Sequence, residues 1–505
     1  MEQYQALIKE GDIEKDVAPD QRKNSYASVG YALSASLSSV MTGYCCGVMS
    51  GAVLFIEEEF EINSTQVELL MGSLVILSVI GGLISGFLAD AIGRRKTMLV
   101  AAAIVLFGCG VMGLSYSYSL LLLGRILTGI GIGFSYVIAP LYVAEVSSPA
   151  TRGMLISFPE IMLNVGILLG YVSTFCLSGL PVTINWRLML GLGGLLALGL
   201  AGGVLIIPES PRWLVVQRRT NEALSVLMKI SSSDEEAELR LADIILAAEP
   251  KNSQQKAATS VLSVEMCLTC DTRLESLTPV CHGNDNEAAG VWRELLCPSP
   301  KTQKILFAAL GLQFFQQASG IAVLIYYAPS IFSKAGFHSK SGDLGVTMTI
   351  GVAKTVFILI ATCYLDTSGR RPLLLISSFG MTASMLMLAG SFLLLNFASA
   401  AGFAAPFAVL GSISFVSFFS MGFGPMSGLL ASEIFPLRLR AQGVSLSMAM
   451  NRLLSGILSL TFLSIIHALS PAGTFFLFAG VSTIATVFVY LVIPETKGRS
   501  LEELS

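Results

Sequence analysis

Apolar runs of about 20 residues recur along the chain between short polar turns, and a helix of that length spans a ~30 Å hydrocarbon core. They predict helices near 28–56, 67–91, 97–117, 119–142, 153–177, 186–207, 305–327, 344–364, 372–396, 403–431, 444–466 and 474–493. These are twelve spans, six on either side of a long polar stretch. Polar signatures repeat in one order in the two sets. Gly86-Phe-Leu-Ala-Asp-Ala-Ile-Gly-Arg-Arg-Lys96 has a shorter echo in Leu365-Asp-Thr-Ser-Gly-Arg-Arg371. Glu145 precedes Arg152 as Glu433 precedes Arg440, and Pro208-Glu209 closes one half as Pro494-Glu495 closes the other. Such internal doubling is common in membrane transporters. The expected fold class is an all-α polytopic membrane protein, with twelve transmembrane helices in two six-helix pseudo-symmetric bundles.

Between the bundles, residues 215–304 hold charge and no long apolar run. Asn221 to Glu249 reads as helix from the partial periodicity of Leu224, Leu227, Ile230, Leu239 and Leu241. Residues 250–290 have no period and many polar residues, and are expected to be disordered. The expected organisation is a cytosolic tail over 1–27, a bundle over 28–214, a cytosolic loop over 215–304, a bundle over 305–493 and a cytosolic tail over 494–505.

Composition supports the membrane reading. Of 505 residues, 53% are hydrophobic and only 13% charged, with a mean hydropathy of +0.72; soluble domains carry about 25% charged residues. The net charge of −3 gives no reason to expect nucleic acid. Arg94, Arg95, Lys96, Arg152, Arg370, Arg371, Arg438 and Arg440 fall on one side, which predicts cytosolic termini by the positive-inside rule. The sequon Asn63-Ser-Thr65 then faces outward in a short loop. Nine cysteines form no disulfide framework. Cys267, Cys270, Cys281 and His282 lack the second well-spaced pair of a zinc site, so no metal or cofactor is expected. No nucleophile–base cluster suggests an enzyme.

Polar groups within the spans are functional candidates because burying them in lipid is costly. Gln313, Gln316 and Gln317 lie at i, i+3 and i+4, one helical face whose amides both donate to and accept from hydroxyls. Asn451 is the amide deep in the eleventh span. Tyr326 and Tyr327 are candidates to close over a bound solute. Gly320 and the following residues are expected to continue the seventh span toward an outer break, and Gly424-Pro425 is expected to break the tenth. Lys354 lies mid-span with no evident partner. The polar turns suggest a cytosolic gate whose salt bridges form in one conformation and break in another. Its members are Asp90, Arg94, Arg95, Glu145, Arg152, Glu209 and Arg212, with Asp366, Arg370, Arg371, Glu433, Arg440 and Glu495 in the second half. Gly129, Gly131 and Gly133 are expected to serve helix packing.

Together, Gly86-x-x-x-Asp90-x-x-Gly93-Arg-Arg95, Pro140-Leu-Tyr-Val-Ala-Glu145…Arg152-Gly153, Pro208-Glu-Ser-Pro-Arg-Trp-Leu214, Gln316-Gln317-x-x-Gly320 and Pro494-Glu-Thr-Lys-Gly-Arg499 resemble the sugar porters of the major facilitator superfamily. Ser157-Phe-Pro-Glu160, Gln313-Phe-Phe-Gln-Gln-Ala-Ser-Gly320 and Ser432-Glu-Ile-Phe-Pro-Leu-Arg-Leu-Arg-Ala-Gln-Gly443 look most like plant polyol transporters. The resemblance implies the major facilitator fold and a monomeric carrier of a small polyhydroxylated solute across a lipid bilayer. It also implies small cytosolic helices in the middle loop and proton symport, with the plasma membrane expected and the vacuolar membrane as the alternative. By resemblance the solute contacts are Gln313, Gln316, Gln317, Glu160, Asn451, Tyr326 and Tyr327.

Three positions depart from that pattern. Cys45 stands where proton-coupled relatives have an aspartate that pairs with the arginine matching Arg125. A thiol with an ordinary pKa near ~8.5 stays neutral and cannot repeat that cycle. The coupling candidates are therefore Arg125, Glu160 and Cys45, with an uncoupled carrier or a non-transporting sugar sensor as alternatives to symport. Ala322 replaces a polar residue and Gly428 a tryptophan, so a roomier and less polar cavity is expected.

Overall fold

A computed structural model describes residues 19–147, 152–231, 233–248, 298, 300–336, 339–395, 401–435, 439–493 and 495. The expected disordered stretch 250–290, its Cys267, Cys270, Cys281 and His282, and most of both tails lie outside these residues. So do the side chains of Arg152, Asp366 and Arg440.

Six helices form the first half: α1 (Pro19–Phe60), α2 (Ser64–Ile92), α3 (Arg94–Gly113), α4 (Tyr118–Val146), α5 (Arg152–Leu177) and α6 (Val182–Ile206). Three short helices follow, α7 (Pro211–Val216), α8 (Thr220–Ile230) and α9 (Asp234–Ala248). The second half holds α10 (Pro300–Ala318), α11 (Ile321–Lys334), α12 (Lys340–Ser368), α13 (Arg370–Leu394), α14 (Ala401–Met421), α15 (Phe423–Ile434) and α16 (Arg440–Val492). Among the described residues, eleven segments are long and apolar enough to cross a membrane. The last of them turns at Ser470 (φ 66°) and counts as two crossings. Ser470 ends one helix and caps the next, its hydroxyl accepting from Gly473 N at 3.3 Å with Pro471 in the first turn.

Local chemistry moves several expected boundaries. The helix read over 221–249 is two helices, because Ser231 turns to extended backbone after Ile230 and the Ser233 hydroxyl caps the second helix, accepting from Glu236 N at 3.2 Å. The seventh span breaks at Gly320 itself (φ 92°), earlier than expected. The tenth breaks at Gly422, and Pro425 falls in the first turn of α15, where a missing N–H is harmless. Asn63 and Gln66 form a reciprocal capping box at the start of α2.

Helices approach closely where lipid offers no hydrophobic drive for association. A Cβ on Gly43 would stand 2.0 Å from Leu163 O, so α1 and α5 meet through bare backbone. Gly129 and Gly133 lie against Leu74 and Ser78 of α2, and Gly131 against Val105 of α3. The halves meet where α16 packs on α2 and α12 on α5, with α11 against α1.

The doubled polar signature is doubled in three dimensions. Gly93 and Gly369 share one conformation, φ/ψ 96°/162° and 83°/154°. In the first half the Glu209 carboxylate accepts from Arg94 N and Arg95 N at 2.9 and 3.1 Å. In the second, Glu495 accepts from Arg370 N and Arg371 N at 3.1 and 3.2 Å. Each glutamate thus places its charge on the positive end of a helix dipole and satisfies free N–H groups there. A Cβ at Gly93 would be strained and would lie 2.4 Å from Glu209 Oε2. Gly93→Ala is expected to cost on the order of 2–4 kcal/mol. Gly86→Ala, with nothing within 4 Å, should be close to neutral. Thermal unfolding of the purified protein in detergent compares the two, and equal melting temperatures would contradict the argument.

Candidate functional site

The amide face expected on the seventh span is buried at the heart of the second half. Gln313, Gln316, Gln317 and Asn451 are all at most 8% exposed. Asn451 Nδ2 donates to Gln313 Oε1 at 2.8 Å and to Gln316 Oε1, while its Oδ1 accepts from Gln317 Nε2 at 3.1 Å. Gln316 Nε2 donates to the carbonyls of Phe423 and Gly424 at 3.0 and 3.1 Å. Those carbonyls lie in the first turn of α15, just past the break at Gly422, so the amides tie the seventh span to the broken tenth. Gln313 Nε2 has no partner. In this conformation the amides satisfy one another, and a hydroxylated solute must exchange with these bonds.

Beside this unit, where the halves meet, lies a void of about 10 Å³ lined by Thr42, Cys46, Ser78, Tyr136, Tyr326 and Arg452 among others. It has room for about one water. The roomier cavity expected from Gly428 is not seen, since the Met448 methyl lies 3.1 Å from where a Cβ would stand. Ala322 is buried. Tyr326 lines the void, whereas the Tyr327 hydroxyl donates to Ser459 O at 2.6 Å and its ring packs on Phe462, away from it. A larger groove of about 430 Å³ lies elsewhere, between α3 and α6, bordered by Gly110, Gly113, Leu188 and Leu195.

Arg125 is fully buried, with Nε donating to Leu70 O and Nη1 to Cys45 O, both at 3.2 Å, and Nη2 unpartnered. The titratable groups facing it are Cys45, Cys46, Cys109 and Tyr326, none of them a carboxylate. Glu160 is half-buried and receives Asn164 Nδ2 at 3.4 Å. It lies within electrostatic range of Lys354 and Arg452 but forms no ion pair with either. Arg452, missed in the sequence, donates to the Tyr136 hydroxyl at 2.9 Å with its guanidinium 4.2 Å from the centre of the ring. The rule that singled out Arg125, charge within an apolar run, applied equally to Arg452.

The gate residues pair within their own halves. Arg94 meets Glu145 at 3.0 Å and Asp90 at 3.1 Å, and Arg370 meets Glu433 at 3.2 Å. Arg95 and Arg371 donate to the Leu205 and Tyr490 carbonyls, and Arg212 is exposed. These contacts clip helices together inside each bundle. Several bonds between the halves lie at mid-depth or at the opposite end. Glu58 pairs with Lys340, and Glu68 accepts from Ser464 N and Oγ at 2.7 and 2.8 Å. Tyr171 donates to Ile325 O at 2.8 Å. Glu59, bound by Trp186 and Arg187, ties α1 to α6 at that same end.

A family model described as sugar (and other) transporter matches residues 31–505. The chain belongs to the sugar transporter family. It is thus a multi-pass membrane transporter of the major facilitator fold and not an enzyme. Polyol transporter 5 of Arabidopsis thaliana is 44% identical to this sugar transporter over 489 residues, covering 96% of this chain and 87% of that one. Probable polyol transporter 4 of the same plant is 43% identical over 487 residues, covering 96% and 86%. Among solved structures, an inward-open form of the xylose transporter XylE from E. coli is 25% identical with a TM-score of 0.73, covering 94% of this chain and 99% of that one.

Proposed function

We propose that this sugar transporter carries a small polyhydroxylated solute, a polyol or monosaccharide, by alternating access without proton coupling. The observation that carries the reading is the amide unit of Gln313, Gln316, Gln317 and Asn451 at the broken seventh and tenth spans. It offers donors and acceptors that exchange with solute hydroxyls as the breaks flex. The lack of coupling rests on Arg125, which faces thiols and a tyrosine in place of a carboxylate.

The Gly-Arg-Arg turns face the cytosol in this reading, and the protein sits in the plasma membrane. The bonds between Glu58 and Lys340 and between Glu68 and Ser464 then seal the outer end, which corresponds to an inward-facing state. Proton symport is the second reading, favoured by the half-buried Glu160 within range of Lys354 and Arg452. Uptake into proteoliposomes with and without a pH gradient separates the readings. Equilibration alone is the expected result, gradient-driven accumulation would replace it with symport, and binding without uptake would make the protein a sensor.

A further inference from the structure

Glu68 is a buried carboxylate that neither the amide unit nor the charged turns use. It sits in the second turn of α2 and is 4% exposed, within an apolar span where a charge is costly. It makes no ion pair among the described residues. Its Oε1 accepts from Ser464 N at 2.7 Å and its Oε2 from the Ser464 hydroxyl at 2.8 Å, so both oxygens are held by one residue of the other half. Bare backbone brings the two helices together there. A Cβ on Gly72 would lie 2.4 Å from Leu460 Cγ, and one on Gly456 2.5 Å from Ile76 Cδ1. Tyr327, which is turned away from the void, lies within electrostatic reach of Glu68 and of Glu57, and its hydroxyl holds Ser459 O.

Fastening two halves together does not require a charge. Neutral hydrogen bonds hold membrane helices at lower cost, as Tyr171 does when it donates to Ile325 O. A carboxylate adds two strong acceptors that come free whenever α2 and α16 part. The donors that occupy them in the sealed state have a particular spacing. The N and Oγ of a serine are separated by the same number of bonds as the oxygens of two neighbouring hydroxyls on a carbon chain. Ser464 therefore presents to Glu68 the donor pair that a polyol or sugar presents. Leu74, six residues further along α2, lines the central void, which puts Glu68 about 9 Å from it toward the sealed end.

We infer that Glu68 is a solute subsite on the outer approach: its carboxylate takes two neighbouring hydroxyls of the arriving solute, and Ser464 replaces them as the outer end closes. This rests on the carrier reading and adds a specificity-determining residue to it. The carboxylate cannot hold solute and serine together, so closure of the outer end goes with passage of the solute to the amide unit.

Entry into and exit from transport-deficient cells expressing the full chain give the outer and inner KM separately. The probe is whichever of sorbitol, xylitol and glucose the wild type carries fastest. Glu68→Ala is expected to raise the outer KM about ten-fold or more and to leave the inner KM within about two-fold, since charge-assisted bonds are lost on one side only. Glu68→Gln, which keeps the size and one acceptor, should raise the outer KM about three-fold or more, and serves if the alanine variant does not reach the membrane. Ser464→Ala removes a competing donor and should not raise it. A glutamate that only fastened the halves would act with the opposite sign, because its loss enriches the outward-facing state and lowers the outer KM. An outer KM unchanged or lowered in the Glu68 variants therefore overturns the inference and leaves the carrier reading standing. An equal rise of inner and outer KM also overturns it. A wild type that carries none of the probes overturns both.

Discussion

Gln316→Leu reduces solute uptake by about 100-fold or more while the protein remains in the membrane. Leucine keeps the apolar bulk of the side chain and removes both ends of a bridge. Gln316 Nε2 holds the Phe423 and Gly424 carbonyls just past the break in the tenth span, and its Oε1 accepts from Asn451. Loss of one hydrogen-bonding group from a site built for hydroxyls leaves the partners unpaired and costs discrimination of about 10⁴-fold or more at the extreme. The folded state loses less, about 1–3 kcal/mol for the orphaned partners. Uptake and surface abundance measured on the same cells separate the effects. Wild-type uptake at normal abundance would remove the amide unit from the solute path.

Cys45→Asp converts equilibration into accumulation. Arg125 holds only backbone carbonyls, with one guanidinium nitrogen unused and the Cys45 side chain within its electrostatic reach. A carboxylate there gains a charge partner whose proton affinity changes as the site opens to each side. With one proton per solute, an inward gradient of two pH units permits accumulation of up to about 100-fold, since each unit is worth about 1.4 kcal/mol. The measurement is steady-state solute concentration in proteoliposomes at fixed outside pH and varied inside pH. An identical pH profile for wild type and variant would take Arg125 out of the coupling argument.

The charged turns show how far a pattern can be read. Glu209 and Glu495 were legible as repeated acids near Gly-Arg-Arg turns, and pairing with arginine side chains was the natural expectation. Instead they bind main-chain N–H groups of Arg94, Arg95, Arg370 and Arg371, because a glycine at positive φ exposes those donors to a nearby carboxylate. Tyr326 and Tyr327 were equivalent in sequence, yet the 100° between helical neighbours turns one to the void and the other to Ser459. That Glu160 comes within electrostatic range of Lys354 was not visible, because it lies on a helix nearly 200 residues away in sequence.

By itself the sequence determined the twelve crossings, the doubling of the halves and the amide face, since each follows from hydropathy and helical period, which are local properties. Tertiary structure alone decided which amides satisfy each other, that Met448 fills the space left by Gly428, and that Arg452 stacks on Tyr136 beside the void between the halves. Those facts depend on rotation and depth of helices packed through glycine, and small shifts in either move a side chain from one neighbour to another.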